Sequence, residues 1–585
     1  ILARAKGLGE RLGLRHELKR IPTWVLAVIY SLALVLGPQV RRDGAPAWGS
    51  AWTWLLVLLL VPVLAAAVAV ASGLVMRGSR AKVQGALTGF KPFLWRWAGI
   101  FLCWMPLWLA TYPGFFAYDA AVEMAQVESG AIGYAQPPLH VLLLGHGVRF
   151  LHRLLGGWNA AIAVYLLIQA LAIAASFAWV LGRLAAWGVP RWAVRTGWAY
   201  YALFPTVAMF ALCSTKDGLA SAALTVFVVL LVDIAKGRAG WSIGAAAALS
   251  ATFVLLLRLN AVYVLVPVAV WALIVSRGRR PVVAVAVVSP IVLCLFATSF
   301  LYPRVLHFAP PLPVSSLSVP LQQLARVYNM EGDQLSAEDR QTIEKWWATP
   351  EGVGEGLGSY APVNSDMIWP GLNNPRLETH TKEFWKDWLR IGLRYPAVYL
   401  DATMANTYEA WLPGAPITGY SLGVHPRGVY STKVTSYFAF DTEYPGVMHS
   451  PSVLPPVQDF YRAISKSWTV ARAPVISWLL TPGLYLWLAI FVFALAVRRG
   501  SPGRAMALPV GLLVLLSLTF FAGPVQLVRY FLHLYFAFPL LLAFLARPAA
   551  FAGASAGIAV TDEPAATGSV LPDPGAQSEP AAANS

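Results

Sequence analysis

Long apolar stretches recur along this chain, and they constrain its fold more than any other feature. About twelve of them approach the roughly 20 mostly apolar residues that a helix needs to cross a bilayer. They lie near residues 22–38, 51–76, 93–111, 159–181, 191–212, 218–235, 241–257, 260–276, 281–302, 474–497, 505–523 and 529–546. The pattern predicts an all-α polytopic membrane protein with about 12 transmembrane helices.

Composition supports this fold class and excludes others. Hydrophobic residues make up 58% of the chain and charged residues only 12%, against roughly 25% charged residues in a soluble domain. A soluble globule of this composition would expose larger apolar patches than soluble monomers tolerate. A typical soluble enzyme, a disordered protein and a collagen-like fibre are therefore excluded. The three cysteines are far apart and have neither metal-ligand spacing nor the spacing of a disulfide framework.

The basic residues indicate membrane orientation, and we expect no nucleic-acid partner. Lys and Arg number 44 against 28 Asp and Glu, which gives a net charge of +16. These cations cluster in short segments between apolar stretches, as they do in the cytoplasmic loops of membrane proteins. Placing the N-terminus in the cytoplasm puts most of them on the inside. We therefore predict that both termini are cytoplasmic and that region 303–473 is extracytoplasmic.

The apolar pattern also divides the chain into segments. They are a basic cytoplasmic N-terminus (1–21), a transmembrane hairpin (22–92), a transmembrane core (93–302) with the first extracytoplasmic loop (112–158), a mixed extracytoplasmic domain (303–473), C-terminal transmembrane helices (474–547) and a cytoplasmic tail (548–585). The tail is rich in Ala, Pro, Gly and Ser. Such a segment cannot bury enough apolar surface to become ordered, so we predict disorder there.

The loop 112–158 is predicted to form two short helices joined by a turn near Gly130–Pro138. The first helix runs from about Asp119, a favourable N-cap residue, to Glu128. The second helix begins after Pro137 and is rich in leucine. It could lie in the plane of the membrane interface.

Polar residues that interrupt or flank the apolar stretches collect on the predicted outer side. They are Asp119, Glu123, Lys216, Asp217, Arg258, Asn260, Gln526, Arg529 and Tyr530. A charge inside a spanning segment costs roughly 2.5–3.5 kcal/mol on insertion scales. Because the chain keeps several such groups on one side, we take this set as the candidate site.

Simpler interpretations stay open for individual residues. Asp119 could be only a helix cap, Lys216 and Asp217 could form a local ion pair, and Arg258 could be a marker of orientation. A metal site made of histidines alone is not expected. His140, His146 and His152 are six residues apart and do not share one helical face.

The charges of the candidate site suit a substrate that carries a phosphate at headgroup depth. Lys and Arg bind phosphate through charge-assisted hydrogen bonds, and a carboxylate can act as general base on an attacking hydroxyl. A lipid-linked sugar fits this layout. We therefore expect Lys216, Arg258 and Arg529 to bind the donor phosphate.

Several motifs resemble those of the GT-C superfamily, which are membrane glycosyltransferases that use polyprenyl-phosphate sugars. The resemblance to their first extracytoplasmic loop is carried by Tyr112-Pro113-Gly114, Tyr118-Asp119 and Gln136-Pro137-Pro138-Leu139-His140. The chain is most similar to one family of bacterial membrane proteins of this type, through Thr215-Lys216-Asp217, Arg258 with Asn260, Pro320 with Gln322-Gln323, and Arg529-Tyr530. The resemblance covers residues 93–546, so the hairpin 22–92 would be an addition before the common core.

The resemblance implies that Asp119 is the catalytic base and that Arg529 meets the donor phosphate. The substrate-binding candidates are then Tyr118, Glu123, His140, Asp217, Asn260, Gln526 and Tyr530. The implied reaction is an inverting transfer of a hexosyl or pentosyl group from a polyprenyl-phosphate donor to a cell-envelope glycan, lipid or protein. It would take place on the extracytoplasmic face of a bacterial plasma membrane. No cofactor is assigned, and a divalent metal is left open.

Two other classes of function stay open at this point. A transporter or flippase of lipid-linked sugars would place charges at mid-membrane and on both faces, often within an internal repeat. The sequence shows neither feature. A non-catalytic protein of envelope assembly is the third alternative, and only sugar transfer by the purified protein separates it from an enzyme.

Overall fold

The structure is a computed structural model. It describes residues 14–78, 88–238, 240–275, 280–311, 316–331, 334–348, 350–415, 451–465, 473–498 and 500–552. Within these ranges the chain forms helices, turns and isolated β-bridges. No β-strand occurs there beyond these single-residue bridges. The all-α fold class is therefore confirmed for the described residues. The first 13 residues and most of the predicted disordered tail, from 553 onward, lie outside them.

The helices follow the apolar stretches closely. In the first half they are α1 (Leu14–Leu18), α2 (Ile21–Asp43), α3 (Ala51–Gly78), α4 (Phe90–Ala110), α5 (Tyr118–Ser129), α6 (Pro138–Leu155), α7 (Trp158–Ala186), α8 (Arg191–Leu203), α9 (Pro205–Ala211), α10 (Lys216–Ala235), α11 (Trp241–Leu257), α12 (Val262–Val275) and α13 (Arg280–Phe296), which continues as a π-helical segment (Ala297–Val305). In the second half they are α14 (Ser318–Met330), α15 (Ala337–Glu344), α16 (Pro350–Glu355), α17 (Asn374–Thr379), α18 (Thr381–Arg394), α19 (Pro396–Trp411), α20 (Pro455–Ser465), α21 (Pro474–Leu480), α22 (Pro482–Val497), α23 (Ala507–Thr519) and α24 (Leu532–Ala546).

Eight helices of the described chain are long and apolar enough to cross a membrane. They are Ile21–Asp43, Ala51–Arg77, Phe90–Ala110, Trp158–Ala186, Lys216–Ala235, Arg280–Val305, Arg504–Ala522 and Val528–Ala546. Shorter apolar helices cover Trp241–Leu257, Leu259–Ile274 and Pro482–Val497. The chain is thus an all-helical, multi-pass membrane protein in contact with the bilayer.

Two predicted spans are interrupted by proline. The stretch 191–212 forms α8 and α9 with a break before Pro205, and the stretch 474–497 forms α21 and α22 with a break before Pro482. Proline lacks a backbone N–H and disfavours helical geometry at the residue before it. Each proline therefore begins a new helix instead of continuing the old one.

An aromatic layer joins the helices of the core. The Phe177 ring stacks on Tyr201 at 3.9 Å between centroids and meets Phe536 edge-on at 4.8 Å. Trp104 Nε1 donates to Tyr201 O (3.0 Å), and Tyr201 Oη donates to Phe536 O (2.6 Å). These contacts satisfy the buried polar groups of the rings and fasten α4, α7, α8 and α24 together.

Region 303–473 is helical where it is described, so the prediction of a mixed domain is wrong for those residues. Helices α14 to α20 supply its secondary structure, and residues 416–450 lie outside the description. The region has a core of its own around Trp346 and Phe384. It also binds the hairpin loop, because Trp48 Nε1 donates to Asp401 Oδ1 (2.8 Å) and Arg326 donates to Gly44 O (2.9 Å).

Candidate functional site

The backbone brings two distant loops side by side. Phe115 N donates to Leu212 O (3.1 Å) and Ser214 N donates to Phe115 O (2.9 Å), which makes a parallel bridge between Phe115 and Cys213. Helix α5 begins soon after Phe115, and α10 begins soon after Cys213. The first turns of α5 and α10 are therefore neighbours.

Gly114 permits this close approach. Its φ is +115°, a conformation that residues with a Cβ rarely adopt. A Cβ at this position would also collide with Leu166 Cδ1 and lie 3.3 Å from Leu212 O. Gly114 in the Tyr112-Pro113-Gly114 motif therefore has a structural role. It lets the segment that follows it pack against residues 212–214.

Asp119 lies in the first turn of α5 and does not cap it. The helix begins at Tyr118 with Ala117 as N-cap and without a capping side chain, so the prediction that Asp119 caps the helix is wrong. The carboxylate instead accepts hydrogen bonds from Arg529 Nη1 and from Lys216 Nζ (3.4 Å). Only 6% of Asp119 is exposed, so these charges are shielded from water.

Lys216 and Asp217 pair with other segments and not with each other, which excludes the local ion pair. Lys216 Nζ also donates to Gln136 Oε1. Asp217 Oδ1 accepts from Arg258 Nη2, and Asp217 Oδ2 lies 3.8 Å from Arg529 Nη1. The connected charges form what we call the ion cluster. Its members are Asp119, Lys216, Asp217, Arg258 and Arg529.

Two stacked rings form one wall of the ion cluster. The Phe520 and Tyr530 rings are nearly parallel, with centroids 5.2 Å apart. The guanidinium carbon of Arg258 lies 5.0 Å from the Phe520 centroid and 5.4 Å from that of Tyr530, and that of Arg529 lies 5.3 Å from Tyr530. Cation–π attraction of this kind orients both arginines.

The helical region 316–415 holds the segment that precedes Arg529. Ser365 N donates to Pro524 O (2.8 Å) and Asn406 Nδ2 donates to Gly523 O (3.0 Å). Asn364 forms a bridge with Val525. The ion cluster and this region therefore lie at the same end of the helical bundle.

The electrostatics of the cluster favour an anion. Burial alone would raise the pKa of the Asp119 carboxyl, but the charges and hydrogen bonds of Arg529 and Lys216 outweigh burial and hold this pKa well below its ordinary value. Asp119 is therefore ionised at neutral pH. The three cations Lys216, Arg258 and Arg529 lie close together here, and such a set of charged donors can bind an anion.

Glu123 and His140 pair with each other. His140 Nδ1 lies 2.5 Å from Glu123 Oε2, and the two residues are 0% and 1% exposed, respectively. Both side chains are buried in this arrangement, and His140 Nε2 has no hydrogen-bond partner among the described residues. Their contact ties α5 to α6 one turn after Asp119, and so helps to position that carboxylate.

Other residues of the predicted motifs form hydrogen bonds within the protein. Asn260 Nδ2 donates to Thr519 Oγ1 (3.3 Å), and Gln526 Nε2 donates to Phe520 O (3.2 Å). Gln322 Nε2 donates to Ala361 O (2.6 Å) inside the helical region. Tyr118 begins α5, and its side chain lies outside the described structure.

Sequence reasoning gave no role to two residues that the structure places at the cluster. One is Gln136, which accepts a hydrogen bond from Lys216. It directly precedes Pro137-Pro138, where α6 begins, and this position at a helix start could have marked it as a candidate. Phe520 offered no signal, because it is one aromatic residue within a long apolar stretch.

The described residues do not offer a metal site. No group of three or more His, Cys, Asp and Glu side chains among them is placed to hold a metal ion. Both carboxylates of the ion cluster are also paired with cations.

Comparison with known proteins gives a family but no function. The model of a family of unknown function (DUF6020) matches residues 135–556. That match includes Lys216, Asp217, Arg258 and Arg529 and begins after Asp119. No curated protein and no solved structure matches the chain.

Proposed function

The chain belongs to the DUF6020 family, and we propose that it is a membrane glycosyltransferase of the GT-C type. The donor is a polyprenyl-phosphate sugar and the acceptor is a component of the bacterial cell envelope. The reaction takes place on the extracytoplasmic face of the plasma membrane, where twelve spans with cytoplasmic termini would put the ion cluster. The observation that carries the proposal is the contact of Asp119 with two of three clustered cations.

The cations of the cluster suit the change of charge in this reaction. A sugar linked through a phosphodiester carries one negative charge, and the phosphate released after transfer carries a second one. Lys216, Arg258 and Arg529 lie together and can stabilise this added charge, while Asp119 gains the proton of the acceptor.

The steps follow from this arrangement. Lys216, Arg258 and Arg529 bind the donor phosphate. The acceptor hydroxyl attacks the anomeric carbon from the opposite side while the bond from that carbon to the phosphate oxygen breaks. The bonding electron pair leaves with the polyprenyl phosphate, and the hydroxyl proton passes to Asp119. Attack opposite to the leaving group inverts the anomeric configuration.

The resting ion pairs imply that the donor activates the base. A carboxylate bound to two cations accepts a proton poorly, which is what its lowered pKa means. A donor phosphate competes with Asp119 for Arg529 and Lys216. As these cations turn to the phosphate, the pKa of Asp119 rises and its oxygen becomes free for the acceptor hydroxyl.

A transporter is less well supported. It would need charged groups along a path across the bilayer. The ion cluster instead gathers residues from helix ends, namely the start of α5, the start of α10 and the residue that follows α11. This placement suits chemistry at the membrane surface.

The proposal is tested by transfer with purified protein in detergent. The donor is a synthetic polyprenyl-phosphate sugar labelled in the sugar, and an envelope fraction supplies the acceptor. We expect labelled envelope product and free polyprenyl phosphate with the wild type, and a large loss with Lys216→Ala or Arg258→Ala.

A matched control is Lys345→Ala, which removes a lysine that is also ion-paired, but with Glu383 and Asp387 in the helical region. It should retain wild-type transfer. A folded wild type that releases no polyprenyl phosphate from any donor sugar tested would contradict the proposal.

A further inference from the structure

A wide apolar groove opens on the side of the bundle between α7, α10 and α11. Its volume is about 650 Å³, within the range of roughly 300–1,000 Å³ that is usual for small-molecule sites. We call it the lateral groove. Its lining includes Ala172, Trp179, Leu219, Ala223, Ala246 and Phe253.

The lateral groove extends along α10 toward the ion cluster. Helix α10 is buried from its start to Leu230 except for one stripe, which comprises Lys216, Leu219, Ala223 and Val226. The spacing of three and four residues puts these positions on one helical face. The apolar members of the stripe line the groove, and Lys216 lies on the same face about one turn before the first of them.

The wall formed by α11 runs in the same direction, toward the ion cluster. Phe253 lines the groove near the end of α11, and Arg258 follows that helix. Each of these two helices thus carries a cation of the ion cluster at the end toward which its lining residues lead. From Leu219 to Leu230 the groove follows α10 for roughly 17 Å at 1.5 Å per residue, about half of the roughly 30 Å hydrocarbon core.

The lining offers almost nothing to a polar ligand. Its only hydroxyls belong to Ser176 and Ser250. Ser176 Oγ donates to Ala172 O (3.0 Å), and Ser250 Oγ donates to Ala223 O (2.7 Å). Both donors are therefore satisfied within the protein, and the groove suits a hydrocarbon.

We propose that the lateral groove holds the isoprenoid chain of a lipid whose phosphate lies in the ion cluster. This inference rests on the proposed function for the identity of the lipid. The groove itself indicates that the tail of this lipid is a hydrocarbon. An amphiphile with an anionic head matches an apolar groove that leads toward clustered cations. The small residues Ala172, Ser176, Ala223 and Ala246 stand among larger side chains in the lining, and we expect the methyl branches of an isoprenoid to pack against them.

The groove acts through shape and not through hydrophobicity. A lipid tail is already in hydrocarbon when it lies in the bilayer, so moving it into the groove removes no apolar surface from water. What it gains is close van der Waals contact. The ion cluster therefore supplies most of the affinity, and the groove selects the branched chain and aligns the phosphate.

Photolabelling tests the site without any sugar or acceptor. The probe is a polyprenyl phosphate with a diazirine in the first isoprene units, added to the purified full-length protein in nanodiscs. We expect labelled peptides from α7, α10 or α11, and severalfold less labelling when unlabelled polyprenyl phosphate competes. A straight-chain phosphatidylglycerol should compete much more weakly.

Two neighbouring alanines of α11 give a matched pair of variants. Ala246 and Ala245 are both exposed on the surface of the helix, but only Ala246 lines the groove. Ala246→Trp should reduce labelling severalfold because the indole fills the groove, whereas Ala245→Trp should not. Both variants keep the buried face of the helix intact, so both should fold.

Three outcomes would overturn the inference. They are labelling spread evenly over lipid-facing helices, equal competition by phosphatidylglycerol, and equal labelling of the two tryptophan variants. The readout is independent of catalysis. A groove that labels in a protein without transferase activity would refute the proposed function alone, and active transfer with labelling elsewhere would refute the groove alone.

Discussion

Asp119 carries the proton transfer in the proposed reaction, and its replacement gives the sharpest prediction at the scale of one residue. Asp119→Asn keeps the side-chain size but cannot accept a proton. A positioned general base contributes typically about 10²–10⁴-fold to a rate, so turnover should fall by about that factor. The measurement is release of polyprenyl phosphate at saturating donor.

The control for this variant is Glu128→Gln, which neutralises an exposed carboxylate on the same helix. It should turn over like the wild type. Near-normal turnover of a well-folded Asp119→Asn protein would mean that Asp119 serves only to pair with Arg529 and Lys216.

Arg529 tests the phosphate contact. Arg529→Ala should raise the donor KM more than Arg529→Lys, since Lys keeps a point charge but loses the planar fork of donors. A hydrogen bond to a charged group contributes about 1.5–3 kcal/mol, so the alanine variant should bind donor about 10- to 100-fold more weakly. An unchanged donor KM in both variants would remove Arg529 from the phosphate site.

The lowered pKa of Asp119 gives a prediction for stability against pH. A carboxyl whose folded pKa is depressed stabilises the fold above its unfolded pKa, about 3.9, and loses that contribution only as pH falls further. The difference in melting temperature between the wild type and Asp119→Asn should therefore be the same at about pH 7 and about pH 5. A difference that changes over this interval would show that the folded pKa of Asp119 is raised and not lowered.

At the scale of elements, Gly114 determines whether α5 and α10 meet. Gly114→Ala should destabilise the protein, because positive φ costs a residue with a Cβ about 1–2 kcal/mol and the new Cβ also collides with Leu166. Gly130→Ala is the control, since Gly130 has φ +70° but open space around it. Thermal melting should show the larger loss for Gly114→Ala, and equal losses would mean that the contact with Leu166 does not matter.

Apolar pattern predicted where helices occur, but it did not predict all of their ends. Each predicted apolar stretch coincides with helix, because length and hydropathy alone decide that outcome in a bilayer. The breaks at Pro205 and Pro482 were missed, although proline chemistry explains both. The helical character of region 303–473 was also missed, since its mixed polar sequence has no single period and its core depends on contacts between distant residues.

The sequence was enough to predict which residues form the ion cluster, but not which of them pair with each other. Sequence places Asp119, Lys216, Asp217, Arg258 and Arg529 at helix ends on one side, and the structure brings all five into contact. Which carboxylate meets which cation depends on the Phe115–Cys213 bridge and on the segment that precedes Arg529. Both are contacts between segments far apart in sequence, and no local pattern encodes them.

At the scale of the whole molecule, the ion cluster lies at one end of a multi-pass bundle, and the helical region 316–415 packs over the same end. An enzyme and a flippase for lipid-linked sugars would both bind donor there. They differ in what becomes of the bond between the anomeric carbon and the phosphate oxygen, because only the enzyme breaks it.

The fate of that bond is therefore the most direct test. Purified protein is reconstituted into sealed vesicles with a donor labelled separately in the sugar and in the polyprenyl chain, together with an envelope fraction. We predict that the two labels part, with sugar on the acceptor and polyprenyl phosphate left in the membrane, and that Asp119→Asn abolishes the separation. Donor that stays intact while moving between the leaflets would contradict a glycosyltransferase and identify a flippase instead.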